Sequence, residues 1–333
     1  MRAVVLLSGG LDSLLAARVV GDQGIELEAL NFVTLFCNCT PKSRCCSSAA
    51  SAVRQLGIPL RTINNSAEFL EIVKHPRHGY GRNMNPCLDC RILMFRKAAE
   101  RMRETGASFI VTGEVLGERP MSQRREAMQL IEREAGLERL IVRPLSAACL
   151  EPSLPEKNGW LDRSRLLAIR GRSRKPQIEL AKQYDLRDYP CPAGGCLLTD
   201  PEFAARMRDL LAHQPDFALH DALLLKVGRH YRLGPATKAV VGRDEPENER
   251  LLALAAGDAL LELADMPGPL TLLRGGDRPE HAAVAARLTA AHSKARDRSE
   301  VSVLVKGGGR AEPETLSVAP AGPEMIAALR VGS

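Results

Sequence analysis

Aromatic residues are scarce: seven Phe, four Tyr and one Trp make up 4% of 333 residues. Recognition by a long run of stacked bases, which needs several rings, is therefore not advertised. No apolar run approaches the roughly 20 residues that a membrane-spanning helix needs. The apolar stretch Ala3–Leu7 behind Arg2 is shorter than the roughly 7–15-residue core of a secretory signal. These absences exclude an integral membrane protein and lead to the expectation of a cytoplasmic protein with no membrane partner. The lysine-bearing phosphate loop GxxxxGK[ST] is missing, and so is the dinucleotide fingerprint GxGxxG. Neither sign of charge dominates: 46 Lys and Arg stand against 40 Asp and Glu, a net charge of +6. That balance permits an anionic partner such as nucleic acid without requiring one. With 45% apolar and 26% charged residues, a disordered chain is excluded, and the length suggests two domains.

Cysteine, by contrast, is plentiful. The nine residues are an odd count and they cluster: Cys37, Cys39, Cys45 and Cys46; Cys87 and Cys90; Cys191 and Cys196; with Cys149 alone and read as structural. In a reducing cytosol such groups point to metal, cluster or sulfur chemistry before disulfides.

The first part of the chain alternates strand and helix signals, which predicts a parallel sheet with crossover helices. Strands are expected at Ala3–Leu7, Leu27–Val33, Leu60–Ile63 and Ser108–Thr112. Helices are expected at Leu11–Val20, Ser48–Leu56, from Cys87 to Gly106, at Ser122–Ala135, at Pro176–Tyr184 with proline in its first turn, and at Pro201–Leu211. After about residue 212 the texture changes to short strands and charged turns. Strands are expected there at Ala222–Val227, Tyr231–Leu233, Lys238–Val241, Leu270–Leu273 and Val301–Lys306, with helices at Glu247–Ala256 and Pro279–Ser293. The expected domains are therefore 1–211, an α/β domain with a parallel sheet flanked by helices, and 212–333, a smaller α+β domain. Roughly the last 25 residues read as a Pro/Gly-rich tract.

The strongest motif is Ser8-Gly9-Gly10-Leu11-Asp12-Ser13, directly after the first strand and opening the first helix. Two glycines let the backbone approach an anion, and the helix N-terminus offers unpaired N–H groups and a positive dipole end. Ser8 and Ser13 add hydroxyl donors, and Asp12 can hold Mg²⁺ against phosphate oxygens. These residues resemble the SGGxDS signature of the PP-loop ATP pyrophosphatases, with their adenine nucleotide alpha hydrolase-like fold. The resemblance implies ATP held by Ser8, Gly9, Gly10, Asp12 and Ser13, with Phe32 at the end of the second strand beside the adenine. It also implies cleavage between the α and β phosphates with adenylation of a substrate.

A second motif, Cys87-Leu88-Asp89-Cys90, starts a helix. The spacing brings two sulfurs to one point where the dipole favours thiolates, as a redox pair, a zinc half-site or a cluster half-site. Thr112-Gly113-Glu114-Val115-Leu116-Gly117, with Ser122-Gln123 soon after, is similar to the TGExLGxxxSQ segment of tRNA 4-thiouridine synthetases, and Arg143-Pro144-Leu145 to the RPL that follows there. The four segments fall in that family's order, and the likeness is closest to the iron–sulfur branch of the tRNA-thiolating enzymes. It implies a [4Fe–4S] cluster on Cys87, Cys90 and a third ligand, Cys196 or Cys191. Cys196 is preferred because Gly194-Gly195 lets the backbone turn tightly. Zinc is the rival metal, and a metal-free persulfide relay the rival chemistry. Asp12, Cys87, Cys90 and Cys196 are thus the expected catalytic residues. Thr112, Gly113 and Glu114 are expected at the ATP, Glu114 either positioning Mg²⁺ or substrate or standing as an exposed loop residue. The loop cysteines from Cys37 to Cys46 form either an additional sulfur-handling site or reactive but dispensable thiols.

The basic run Arg170, Arg172, Arg174 and Lys175 suits tRNA phosphates or the ATP triphosphate. Because the phosphate loop begins at Ser8, the THUMP region that 4-thiouridine synthetases carry ahead of it is expected to be absent. The segment Leu225-Lys226-Val227-Gly228-Arg229-His230, with Val240-Val241-Gly242-Arg243-Asp244-Glu245, looks like the NFACT-R type of RNA-binding domain. That likeness implies phosphate contacts from Lys226, Arg229, His230, Arg232, Lys238 and Arg243. Together these resemblances imply an ATP-dependent tRNA sulfurtransferase. Its partners would be tRNA and a sulfur donor, either sulfide or a desulfurase-derived persulfide, with a homodimer as an option.

Overall fold

The computed structural model describes residues 1–37, 45–187, 189, 196–275 and 278–332, the side chains of residues 45–47 excepted. Cys39, Cys191 and Gly194-Gly195 lie outside the described residues. The chain divides into two compact units, Met1–Leu197 and Leu198–Ser333.

In the first unit five strands form one parallel sheet: β1 (Arg2–Leu6), β2 (Glu26–Val33), β3 (Leu60–Asn64), β4 (Phe109–Thr112) and β5 (Ile141–Val142). Their spatial order is β3-β2-β1-β4-β5, so the winding reverses between β1 and β4. The helices are α1 (Leu11–Gly21), α2 (Cys45–Leu56), α3 (Ser66–Lys74), α4 (Cys87–Thr105), α5 (Arg125–Glu134), α6 (Leu154–Lys157) and α7 (Lys175–Gln183). The run AVVLL in β1 is apolar at every position because both faces are covered. Ala3 and Val5 pack with Leu11, Leu14 and Leu15 of α1, while Val4 and Leu6 pack with Ile92 and Phe95 of α4. Leu6 lies beside Thr112 in register. The loops that leave β1 and β4 therefore open at the same height, into the crevice where doubly wound sheets bind ligands.

The second unit contains α8 (Pro201–His213) and α9 (Leu219–Leu224), followed by β6 (Arg229–Arg232), β7 (Lys238–Val241) and α10 (Glu245–Ala253). Next come β8 (Ala259–Leu263), β9 (Thr271–Arg274) and α11 (Pro279–Ala291), then β10 (Val301–Gly307), β11 (Glu314–Val318) and α12 (Pro323–Leu329). The strands make one antiparallel sheet in the order β11-β10-β8-β9-β7-β6. One face packs on α11 through Ala282, Ala285, Ala286 and Leu288. The other face covers Leu224, Val227 and Leu251.

Three expectations change. Helix α8, assigned from sequence to the first domain, belongs to the second unit. The strand expected over Ala222–Val227 is instead the end of α9 and a turn. A short apolar run suits a buried helix as well as a strand, and here Asp221 accepts the backbone N–H of Ala218 at 2.8 Å and closes the first turn. The Pro/Gly-rich tail holds β11 and α12, its strand paired with β10 from Val301↔Val318 to Val305↔Glu314. A local composition count does not register a partner strand.

Candidate active site

Between β1 and α1 the chain turns on Gly9, whose φ is +80°. A side chain there would put its Cβ 2.5 Å from the backbone N of Ala49 and 2.3 Å from Ser48 Oγ, so only glycine lets the loop lie against α2. Ser13 Oγ donates to Gly10 O at 2.8 Å, and Ser48 Oγ to Ser8 O at 3.4 Å. Gly10 caps α1 without any side-chain hydrogen bond. The first-turn N–H groups are thus left for an anion. On the far side Gly113 is equally constrained: a Cβ there would stand 2.5 Å from both Asp12 C and Ser13 N. The segment after β4 therefore lies directly on the phosphate loop.

Asp12 faces two other segments, the loop after β4 and the entry to α7. Arg174 Nη2 is 3.7 Å from its Oδ2, each side chain about one-fifth exposed. Burial raises the Asp12 carboxyl above its ordinary range, and Arg174, Gln177 and Arg119 offset this only in part. Glu118, half-buried in the loop after β4, is likewise raised by burial and by the charge of Asp12, with Arg119 and Arg174 opposing. Arg174 belongs to the run expected at tRNA phosphates or the ATP triphosphate. It stands beside Asp12, because Gly171 N donates to Leu116 O at 2.7 Å and ties residues 170–174 to the post-β4 loop. Arg170, Arg172 and Lys175 are exposed.

Glu114 needs a correction. It is neither an exposed loop residue nor placed for Mg²⁺: it is 2% exposed. Arg91 Nε donates to its Oε1 at 2.9 Å, and Arg143 Nε to its Oε2 at 3.0 Å. Burial alone would raise this carboxyl, but the two guanidinium groups overcome it and hold the pKa below the ordinary value. Arg143 also pairs with Glu132, so the RPL segment supplies a structural ion network. Thr112 is buried, 3.4 Å from Arg91 Nη2. Phe32 is partly buried and packs on the α4 side of the sheet.

Cys87 and Cys90 occupy the first turn of α4. Burial pushes Cys90 up to about 12, with Arg91 lowering it and the neighbouring Cys87, Cys37 and Asp89 raising it. Cys87 is raised by burial and lowered by Arg119 and Arg91. The charge of Arg119 lowers both the Asp12 carboxyl and the Cys87 thiol against burial. Cys196, the preferred third ligand, lies opposite Cys37 in an antiparallel bridge. Among the described residues no three His, Cys, Asp or Glu side chains are grouped to hold a metal ion. Arg91, Glu118, Arg119 and Gln177 were not singled out from sequence. Only Arg91 carried a signal, as the residue directly after the CxxC pair.

In the second unit Lys226 and Arg243 are exposed and Arg229 is half-buried. Arg229 Nη1 donates to Gly242 O at 3.3 Å, and Arg243 pairs with Glu247 at 2.9 Å. His230, Arg232 and Lys238 do not stand ready for phosphates. Lys238 and Arg232 both bind Asp209, at 3.1 and 2.6 Å. His230 is 1% exposed and donates from Nε2 to Val227 O at 2.8 Å.

Residues 1–133 match the family described as tRNA methyl transferase HUP domain, and residues 228–330 the NFACT protein RNA binding domain. The tRNA-specific 2-thiouridylase MnmA 1 of Caldanaerobacter subterraneus is 36% identical over 126 residues, 34% of each chain. A probable tRNA sulfurtransferase of Methanosarcina mazei is 32% identical over 129 residues, 35% of this chain and 29% of that one. The matched region thus spans about a third of these curated relatives. Among solved structures, a 4-thiouridine synthetase–RNA complex with bound ATP aligns with TM-score 0.36 and 23% identity, covering 56% of this chain and 51% of that one. The U34-tRNA thiolase NcsA from Methanococcus maripaludis with its [4Fe–4S] cluster aligns with TM-score 0.34 and 15% identity, covering 68% and 70%. By sequence the N-terminal region is therefore similar to tRNA 2-thiouridylases and a tRNA sulfurtransferase, and the C-terminal region to the NFACT protein RNA binding domain.

Proposed function

We propose that this chain is a cytoplasmic, ATP-dependent tRNA sulfurtransferase, with its catalytic site at the β1/β4 crevice and further RNA contacts from the second unit. The observation that carries the reading is the glycine-tight phosphate loop, with the segment after β4 packed directly on it through Gly113, in a unit whose α4 opens with the cysteine pair. A uracil carbonyl oxygen is a poor leaving group. Attack of that oxygen on the α-phosphate of ATP releases pyrophosphate and leaves AMP on the base; a sulfur nucleophile then displaces AMP. The first-turn N–H groups of α1 bind the phosphate oxygens, Asp12 orients Mg²⁺, and Arg119 and Arg174 stabilise charge that grows on the leaving pyrophosphate.

The thiols suit a soft-metal cofactor, since thiolate donors select iron–sulfur clusters and zinc. Cys87, Cys90 and Cys196 would hold a [4Fe–4S] cluster, which when bound supplies a site for the incoming sulfur. Burial raises the Cys87 thiol, and Arg119 and Arg91 offset part of that rise. Arg170, Arg172, Lys175, Lys226, Arg229 and Arg243 are the basic groups proposed for the tRNA backbone.

The test is formation of AMP and of a thionucleoside when the full chain, purified anaerobically, is given ATP, Mg²⁺, sulfide and bulk tRNA. AMP release that depends on tRNA, with a thiolated uridine found by mass spectrometry of the digested RNA, is the expected result. Binding of both ATP and RNA with no AMP formed overturns the reading in favour of a nucleotide-switched RNA-binding protein.

A further inference from the structure

Of the large apolar side chains that the described residues leave exposed, two belong to adjoining loops of the first unit: Tyr80 is 39% exposed and Met121 38%. One loop, residues 75–86, joins α3 to Cys87; the other follows β4. They meet at Gly81, where a Cβ would stand 3.1 Å from Met121 Cε and 3.2 Å from Met121 Cγ. Met121 therefore lies against the residue next to Tyr80. Both loops are braced. The Tyr80 hydroxyl donates to Val73 O, and Gly81 N donates to Asn85 O at 2.8 Å. His78 ties the same loop to the CxxC turn: its backbone N–H donates to Asp89 Oδ2 at 3.0 Å, and its Nδ1 lies 2.8 Å from Asp89 Oδ1. On the other loop Arg119 N donates to Gln123 Oε1 at 2.9 Å and Gln123 N to Arg119 O at 3.0 Å, which closes a turn with Met121 at its centre. An aromatic ring and a methionine held in place yet left in solvent mark a pre-organised binding surface.

We propose that Tyr80 and Met121 form a platform on which one unpaired base of an RNA strand stacks, with Arg82 and Arg124 taking phosphates of that strand. The inference rests on the sulfurtransferase reading above and adds how the strand is held: unpaired, by a ring outside the adenylating machinery. Charge favours RNA over an apolar protein partner. Residues 75–86 contain two histidines and two arginines and no acidic residue. Arg77 pairs with Glu134 at 2.7 Å, whereas Arg82, Arg119 and Arg124 are exposed. A tyrosine ring stacks on any base, since every base has a π-face, and a methionine side chain is polarisable and adapts to a flat partner. Duplex RNA keeps its bases stacked on one another, so a ring of this kind selects unpaired segments. Both loops also feed the candidate active site. One runs into Cys87; the other leaves β4 through Gly113, which packs on the phosphate loop. A base held between them anchors the strand beside the crevice. A single ring suits a site that fixes one nucleotide, in a chain with few aromatic residues.

The test uses a short oligouridylate carrying 5-iodouridine, which under ultraviolet light cross-links to side chains stacked on it, with the full chain and peptide mass mapping. A cross-link at Tyr80 is the expected result. In fluorescence anisotropy, Tyr80→Ala should bind a labelled oligouridylate about tenfold more weakly, while Tyr80→Phe, which keeps the ring, should stay within about twofold of wild type. A blunt RNA duplex and a non-hydrolysable ATP analogue should bind all three proteins alike. Cross-links only at other residues, equal oligouridylate affinity in wild type and Tyr80→Ala, or an equal loss for the duplex overturns the inference. So does a wild-type dimer in sedimentation that Tyr80→Ala dissociates, which would assign the patch to a second copy of the chain. The sulfurtransferase reading stands or falls separately, on tRNA-dependent AMP formation by the wild type.

Discussion

Cys37 and Cys196 stand directly opposite each other in an isolated antiparallel bridge. The 2.9 Å bond from Leu197 N to Phe36 O beside them makes them a non-hydrogen-bonded pair. Cα atoms in such pairs lie about 4.5 Å apart, inside the disulfide range of roughly 4.4–6.8 Å. Cys37 Sγ also accepts the Thr34 N–H at 3.2 Å, which fixes its side chain beside the bridge. Under mild oxidation of metal-free protein we expect a Cys37–Cys196 cross-link in peptide mass maps, lost in Cys37→Ser. A dominant Cys87–Cys90 cross-link would contradict this pairing.

Alkylation should separate the two α4 cysteines. With Cys90 pushed up to about 12 by burial, roughly one part in 10⁴ is thiolate at pH 8, and the thiolate is the reactive form. Iodoacetamide should label Cys87 far faster than Cys90 in the native metal-free chain, and equally fast in urea. Comparable native rates would show that the Cys90 thiol is not held protonated.

Asp12→Asn should abolish AMP formation, since a neutral amide no longer holds Mg²⁺ against phosphate. Stability should hold or rise slightly, because burial disfavours the charged Asp12 carboxylate and the amide removes that penalty. The checks are AMP release and a thermal melt. Unchanged AMP release would remove Asp12 from the mechanism.

Glu114→Gln should behave in the opposite way. Arg143 is 5% exposed, and weakening its pairing leaves a buried guanidinium short of a charge partner, with a loss of about 3–5 kcal/mol in urea denaturation. A stable variant defective only in Mg²⁺ dependence would return Glu114 to the metal.

Lys238 should leave a mark on the alkaline stability of the chain. Burial lowers its pKa to about 8, with Asp209 opposing, whereas an unfolded lysine titrates near 10.4. Between those values the unfolded state carries more protons, so stability from this group rises with pH, by at most roughly 3 kcal/mol. Chemical denaturation at pH 7.5 and 10 should show the rise in wild type and a smaller one in Lys238→Met. Equal slopes would contradict the burial argument.

The sequence by itself determined the features whose causes lie within a few residues along the chain. The SGGLDS turn needs a strand before it and a helix after it, both visible in AVVLL and LDSLLAARVV, and the CxxC spacing places two sulfurs on one helical turn. The both-faces-apolar strand β1 already implied a parallel sheet. Tertiary structure decided every pairing between distant segments. Arg174 lies in a run that suits tRNA phosphates or the ATP triphosphate; only the tie between Gly171 and Leu116 turns it onto Asp12. Glu114 reads as a loop acid until Arg91 from α4 and Arg143 from the end of β5 meet on it. The facing of Cys37 by Cys196 is likewise a pairing of segments far apart along the chain. The reason is physical: local conformation answers to neighbours at i to i+4, whereas burial and charge pairing answer to whatever the sheet order brings within a few ångströms.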